Sequence, residues 1–227
     1  MAEDIRYNGT GLIVAKDYGE LSEIAAEMVI GRVKAKPDLN LLVPTGKTPL
    51  GLYKILSEEN DGLFSKATFF NFDEYAKRKD GPLIDSADPV SFRRAMKESF
   101  FGKVNVKSHF FPSENNFVRN GLYDQLIYSF GGIDLCIDAM GEDGHTFGFN
   151  FPGTLSDSRT RVVRIPQRVR EINRVKSGYE TPLYALTTGI ETGLNSEEII
   201  VLVSGYDKAD ILKRTLADNH IFIDPDA

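Results

Sequence analysis

In Gly141-Glu-Asp-Gly-His145 a histidine follows Asp143 by two residues, in a glycine-bracketed turn after the apolar run Ile133-Asp-Leu-Cys-Ile137. A carboxylate hydrogen-bonded to an imidazole fixes its tautomer and raises its basicity, so Asp143 and His145 are candidates for acid–base work. A histidine satisfied purely for structure is the alternative. Asn71-Phe-Asp-Glu-Tyr75 places two adjacent carboxylates at the end of a second strand-like run, Ala67 to Phe72. In extended chain Asp73 and Glu74 face opposite ways, so only one reaches a crevice, and spacing does not say which. A carboxylate held beside a carbonyl-bearing carbon shuttles a proton, an effect worth ~10²–10⁴ in rate; an exposed acidic turn is the bland alternative.

Pro44-Thr-Gly-Lys-Thr-Pro49 joins a strand-like run to a helix-like one. Thr48 suits an N-cap and Pro49 the first helical position, which leaves free backbone N–H groups and the positive helix end facing an anion such as phosphate. Lys47 adds a charge. The spacing fits neither the Walker pattern nor the dinucleotide fingerprint. An ordinary capping turn explains it equally well.

These turns need strands to carry them and helices to bury the strands. Leu12–Ala15, Leu41–Val43, Ala67–Phe72, Ile133–Ile137, Ile199–Val203 and Ile221–Ile223 read as strands. Between them, Leu21, Ile24, Ala25, Met28 and Val29 recur at helical spacing, as do Phe92, Met96 and Phe100. Gly51–Leu56, Asn120–Phe130 and Lys208–Leu216 complete the expected helices. Strands alternating with helix-length segments predict βαβ units, and so a mostly parallel sheet covered on both faces. Residues 76–89 form a polar loop after a strand end. Residues 156–181 carry seven arginines and lysines, which reads as a solvated surface or as a lid bringing cations over an anionic ligand.

Composition narrows the field. A length of 227 residues suits one well-buried domain, here taken as residues 1–227. No apolar run approaches the ~20 residues of a spanning helix, and the first residues lack the features of a signal peptide, so no membrane association and a cytoplasmic location are expected. The net charge of -6 with no basic run argues against a nucleic-acid partner. A small anionic ligand then requires a local positive site. The lone Cys136 sits mid-strand and reads as core, and no Cys, His and carboxylate set has metal-ligand spacing.

With these motifs the chain resembles the glucosamine-6-phosphate deaminase and 6-phosphogluconolactonase superfamily. The resemblance rests on five ordered stretches: Pro44–Pro49, Phe70–Tyr75, Gly141–His145, Ser158-Arg-Thr-Arg161, and Ala185-Leu-Thr-Thr-Gly-Ile190 leading to Gly205-Tyr-Asp-Lys-Ala209. It implies a three-layer, modified Rossmann-like, mostly parallel sheet with helices on both faces, a sugar 6-phosphate ligand, no cofactor, and self-association. By motif match Thr45, Gly46, Lys47 and Thr48 would hold the phosphate with Lys208, and Arg174 is the candidate lid arginine. Asn71–Tyr75 and the Ala185–Ala209 region resemble the deaminases, in which Asp73 would move a proton between C1 and C2 of the open sugar and His145, supported by Asp143, would assist ring opening. Gly141–Thr146 and Phe151-Pro-Gly-Thr154 resemble the lactonases instead, in which His145 would activate water. Deaminases have Asn-Glu-Pro where this chain has Asn150-Phe151-Pro152, so the glutamate that completes the deaminase relay is absent; Glu142 is a candidate replacement. The motifs thus imply an isomerase or deaminase acting on an amino-sugar or related sugar 6-phosphate. The alternatives are a 6-phosphogluconolactonase-like hydrolase and a non-catalytic sugar-phosphate sensor.

Overall fold

The computed structural model describes residues 3–7, 10–59, 62–113 and 121–217. The chain begins with an antiparallel hairpin, β1 (Glu3–Tyr7) and β2 (Thr10–Val14). The Leu12–Ala15 run therefore does not join the central sheet. Ile13 and Val14 are 42% and 48% exposed, so the run lacks the two-sided burial that a parallel strand needs. Helix α1 (Tyr18–Ala35) follows, its first turn capped by the Asp17 carboxylate, which accepts from the Glu20 N–H at 2.9 Å.

Next come β3 (Asn40–Val43), α2 (Leu50–Glu58), β4 (Thr68–Asn71) and β5 (Asp73–Ala76). The helix expected from the spacing of Phe92, Met96 and Phe100 forms as α3 (Phe92–Met96) running on into a π-helical turn, Lys97–Phe101. Then follow β6 (Ser108–Phe110), α4 (Leu122–Ser129), β7 (Leu135–Ala139), β8 (Arg161–Arg164), α5 (Gln167–Ser177), β9 (Tyr184–Thr187), α6 (Ile190–Leu194), β10 (Glu198–Leu202) and α7 (Ala209–Ala217). The strand expected at Ile221–Ile223 lies outside the described residues.

Five strands form an all-parallel sheet in the order β10-β7-β3-β4-β6. Side chains alternate across it and define three layers. Leu41, Val43, Phe69, Leu135 and Ile137 meet α1 and α2 on one face. Leu42, Phe70 and Cys136 point the other way, onto Tyr123 and Ile127 of α4 and onto Phe147 and Ile190. Each large apolar side chain fully buried here contributes about 1.5–3 kcal/mol. Among the described residues no helix is long and apolar enough to cross a membrane.

A second sheet, β5-β9-β8, is antiparallel. Only Phe72 separates β4 from β5, so the chain leaves the parallel sheet at Asn71 and enters the antiparallel one at Asp73. The Phe72 carbonyl accepts from the Thr188 N–H at 2.8 Å, pinning the crossover to the end of β9.

Candidate active site

The carboxyl ends of β3, β4 and β7 open onto a cavity of about 410 Å³, where ligands bind in open α/β sheets. Thr45, Gly46, Lys47 and Thr48 form one wall. Gly46 has φ +150°, a conformation that side chains rarely adopt. The cap differs from expectation: α2 starts at Leu50 with Pro49 in the cap position and no side-chain cap bond. Tyr18 takes that role. Its hydroxyl accepts from the Gly51 N–H at 2.8 Å and lies 3.1 and 3.0 Å from the carbonyls of Lys47 and Thr48, to which it donates. The Thr48 hydroxyl is thereby left to accept from the Lys208 Nζ at 2.9 Å.

Lys208 ends a short 3-10 turn before α7 and is only 8% exposed. Burial pushes its ammonium pKa down, an effect that the neighbouring Asp207 partly offsets. The Thr45 hydroxyl is buried with no hydrogen-bond partner in the described structure. A desolvated cation, an unpartnered hydroxyl and a helix N-terminus together match what an incoming phosphate supplies.

Opposite, the antiparallel pairing separates the two adjacent carboxylates. Glu74 is fully buried and turned away from the cavity. It accepts from the Ser91 hydroxyl at 2.7 Å, from the N–H groups of Phe92 and Arg93 at 3.1 and 3.0 Å, and from Arg93 Nε at 3.2 Å, so it fastens the start of α3. Asp73 faces the cavity at 5% exposure. Burial, then the charges of Glu74 and Asp138, push its pKa well above the usual carboxylate range.

The turn after β7 supplies the third group. Asp143 Oδ1 lies 2.6 Å from His145 Nδ1, and the Gly141 N–H closes the turn on the His145 carbonyl at 2.9 Å. Burial pushes the Asp143 carboxyl up, but the hydrogen bond and charge of His145 outweigh it, and its pKa is lowered. The imidazole packs against Phe149 and Phe151, with ring centroids 5.9 and 5.8 Å away. Phe151 therefore presents an apolar ring to the histidine. Glu142 lines the cavity but accepts from Lys176 Nζ at 3.0 Å, and Lys176 also lies 3.9 Å from Asp207.

The 156–181 segment folds as β8 and α5, and α5 lies along the cavity through Val169, Ile172, Asn173 and Lys176. Arg174 is not among the side chains lining the cavity. It is half-exposed and reaches toward Glu180 at 3.8 Å. At ~100° per residue it points about 160° around the helix from Lys176. The cavity-facing cation of α5 is thus Lys176, which the 169, 172/173, 176 spacing could have singled out. Asp138 also went unread, although a carboxylate inside the apolar run Leu135–Ala139 was its signal. Tyr18 and Asn173, which donates to the Tyr75 hydroxyl at 3.3 Å, carry no local signal.

A parallel sheet with polar groups gathered at its carboxyl ends is an open α/β ligand-binding fold. Residues 18–225 match the family described as glucosamine-6-phosphate isomerases/6-phosphogluconolactonase. The chain is 37% identical over 215 residues to the glucosamine-6-phosphate deaminase of Bacillus velezensis, covering 90% of this chain and 86% of that one. It is 37% identical over 212 residues to glucosamine-6-phosphate deaminase 1 of Bacillus subtilis, covering 89% and 85%. A solved monomeric glucosamine-6-phosphate deaminase superposes with a TM-score of 0.80 at 36% identity, covering 91% of this chain and 87% of that one. The 6-phosphogluconolactonase of Thermotoga maritima shares the fold, with a TM-score of 0.66 at 18% identity over 87% and 86%. The chain belongs to the glucosamine-6-phosphate isomerase/6-phosphogluconolactonase family.

Proposed function

We propose that this protein is a deaminating isomerase that converts glucosamine 6-phosphate and water to fructose 6-phosphate and ammonia. The observation that carries the reading is the placement of Asp73. It is the one member of the Asp73–Glu74 pair that faces the cavity, and it shares that cavity with Thr45–Thr48 and Lys208. The phosphate would sit against Gly46 and the hydroxyls of Thr45 and Thr48, with Lys208 supplying a charge-assisted hydrogen bond. Arg174, which does not line the cavity, is not needed for this cradle.

The Asp143 carboxylate beside Nδ1 would direct the opposite nitrogen of His145 to the sugar ring oxygen as the ring opens. In the open-chain aldehyde, ionised Asp73 would take the C2 proton. Its raised pKa makes it a stronger base for that step. Returning the proton to C1 turns the enolamine into a C2 imine. Water then adds to C2, and the C2–N bond breaks to leave the ketose and ammonia. Helix α5 would act as the lid.

Phe151 beside His145 favours a second reading. A histidine–carboxylate dyad with no further carboxylate at position 151 suffices to activate water against 6-phosphogluconolactone. Incubation with glucosamine 6-phosphate, following ammonia and fructose 6-phosphate, tests the first reading. Accelerated opening of the lactone without ammonia release would replace it with the second, and binding of both ligands without turnover would identify a sensor.

A further inference from the structure

Neither proposed mechanism uses Asp138, although it is a buried carboxylate at 1% exposure that lines the same cavity as Asp73 and His145. One of its oxygens accepts from the Thr146 hydroxyl and the other from the Phe147 N–H at 3.0 Å. Both donors belong to the two residues after His145, so Asp138 clamps the turn that presents the imidazole. Phe147 is the sole non-glycine residue with positive φ among the described residues, at 47°, a conformation that needs such an anchor.

The position of Asp138 is electrostatic as well as mechanical. Glu74 beside Asp73 on β5 and Asp138 from β7 act on Asp73, with the hydroxyls of Tyr75 and Tyr123 close enough to sense its charge. His145, Lys208 and the Cys136 thiol interact with Asp138 in turn. Asp138 therefore lies within electrostatic reach of the candidate base, the candidate dyad and the candidate phosphate lysine. Two carboxylates buried at one site do not ionise independently, and their protons leave in coupled steps.

We propose that Asp138 is the second carboxylate of the reaction site: a positioning residue that fixes the His145 turn and faces the same cavity as Asp73. The charge that position 151 does not supply is thus provided from β7, on the sheet side of the cavity. Glu142 does not provide it at the histidine, because its carboxylate is engaged by Lys176.

Asp138→Asn tests this, since the amide oxygen still accepts from Phe147 N–H and the amide nitrogen donates to the Thr146 hydroxyl. The kinetic arm rests on the deaminase reading. The acid limb of the pH profile for ammonia release is expected to move down by roughly one pH unit, with kcat falling more than KM rises. A uniform loss of rate with an unmoved acid limb would mean that Asp138 is structural only, and would overturn the proposal. A second arm needs no turnover: carbon NMR titration of the aspartate carboxyls, with Asp73 assigned through Asp73→Asn. In the unaltered protein the Asp73 carboxyl is expected to titrate above the ordinary range, and its midpoint should fall in Asp138→Asn. An unchanged midpoint overturns the proposal even if the protein is a lactonase or a sensor. If Asp138→Asn does not fold, the unaltered protein decides the matter: titration of both carboxyls at or below about pH 4 contradicts it, and a two-step titration spanning a wider range supports it.

Discussion

Replacing Lys208 by methionine keeps the length of the side chain and removes its charge, which separates what the ammonium does for the ligand from what it does for the fold. Lys208 is 8% exposed, and its one described hydrogen bond goes to the Thr48 hydroxyl at 2.9 Å. A hydrogen bond between charged partners contributes about 1.5–3 kcal/mol, so Lys208→Met should raise the KM or Kd for the sugar phosphate roughly 10- to 150-fold. Stability should respond differently. Burial holds the folded-state pKa of Lys208 below its ordinary value of 10.5, so the unfolded chain binds this proton more tightly than the folded one. The lysine's contribution to the stability of the empty protein is therefore highest above pH 10.5 and is lost as pH falls through the lowered folded value. Lys208→Met should lack that slope and be no less stable at neutral pH. Calorimetric titration with the sugar phosphate and urea unfolding across alkaline pH measure the two effects. Unchanged affinity, or a ligand-free variant several kcal/mol less stable, would refute the assignment of Lys208 to an anion site.

Asp73→Asn, an isosteric change, is expected to lower kcat by roughly 10²–10⁴ with KM within a few-fold; ordinary turnover in steady-state assays would remove Asp73 from the mechanism. Glu74→Ala strips the fully buried acceptor from Ser91, Phe92 and Arg93 and should cost about 3–5 kcal/mol in urea unfolding. A loss below about 1 kcal/mol would contradict the anchoring role. Asp143, with its lowered pKa, contributes stability that is present above its ordinary value of 3.8 and lost as pH falls through the folded value. Asp143→Asn should flatten that acid-side slope in pH-dependent melts and should reduce kcat, because the His145 tautomer loses its partner.

The helical stripe of α1 and the apolar runs of β3, β4 and β7 were legible in the sequence because local period and two-sided burial coincide there. The antiparallel sheet was less so. β8 and β9 are joined by pairing rather than by a tight turn, and β8 lay within a basic stretch that reads equally well as surface. Alternation required Asp73 and Glu74 to part, but the side each took depends on pairing with β9, more than a hundred residues later. Thr48 had the right chemistry for a cap. What displaced it was Tyr18, brought in from the start of α1, a tertiary contact that leaves no mark on the motif. Arg174 rested on its match to a family motif, whereas helical phase turns Lys176 to the cavity.

The one-residue passage through Phe72 has a consequence for which molecules this site fits. The proposed cradle for the phosphate grows out of the parallel sheet, whereas Asp73 is the first residue of the antiparallel one. The span between them is therefore set by how the two sheets are joined, through Phe72 and its hydrogen bond from Thr188, rather than by any single loop. The joint works as a ruler. On the proposed reading it measures from the sixth carbon, where the phosphate would hang, to the first two, where the proton would move. A sugar one carbon shorter would leave Asp73 out of reach even with its phosphate fully held.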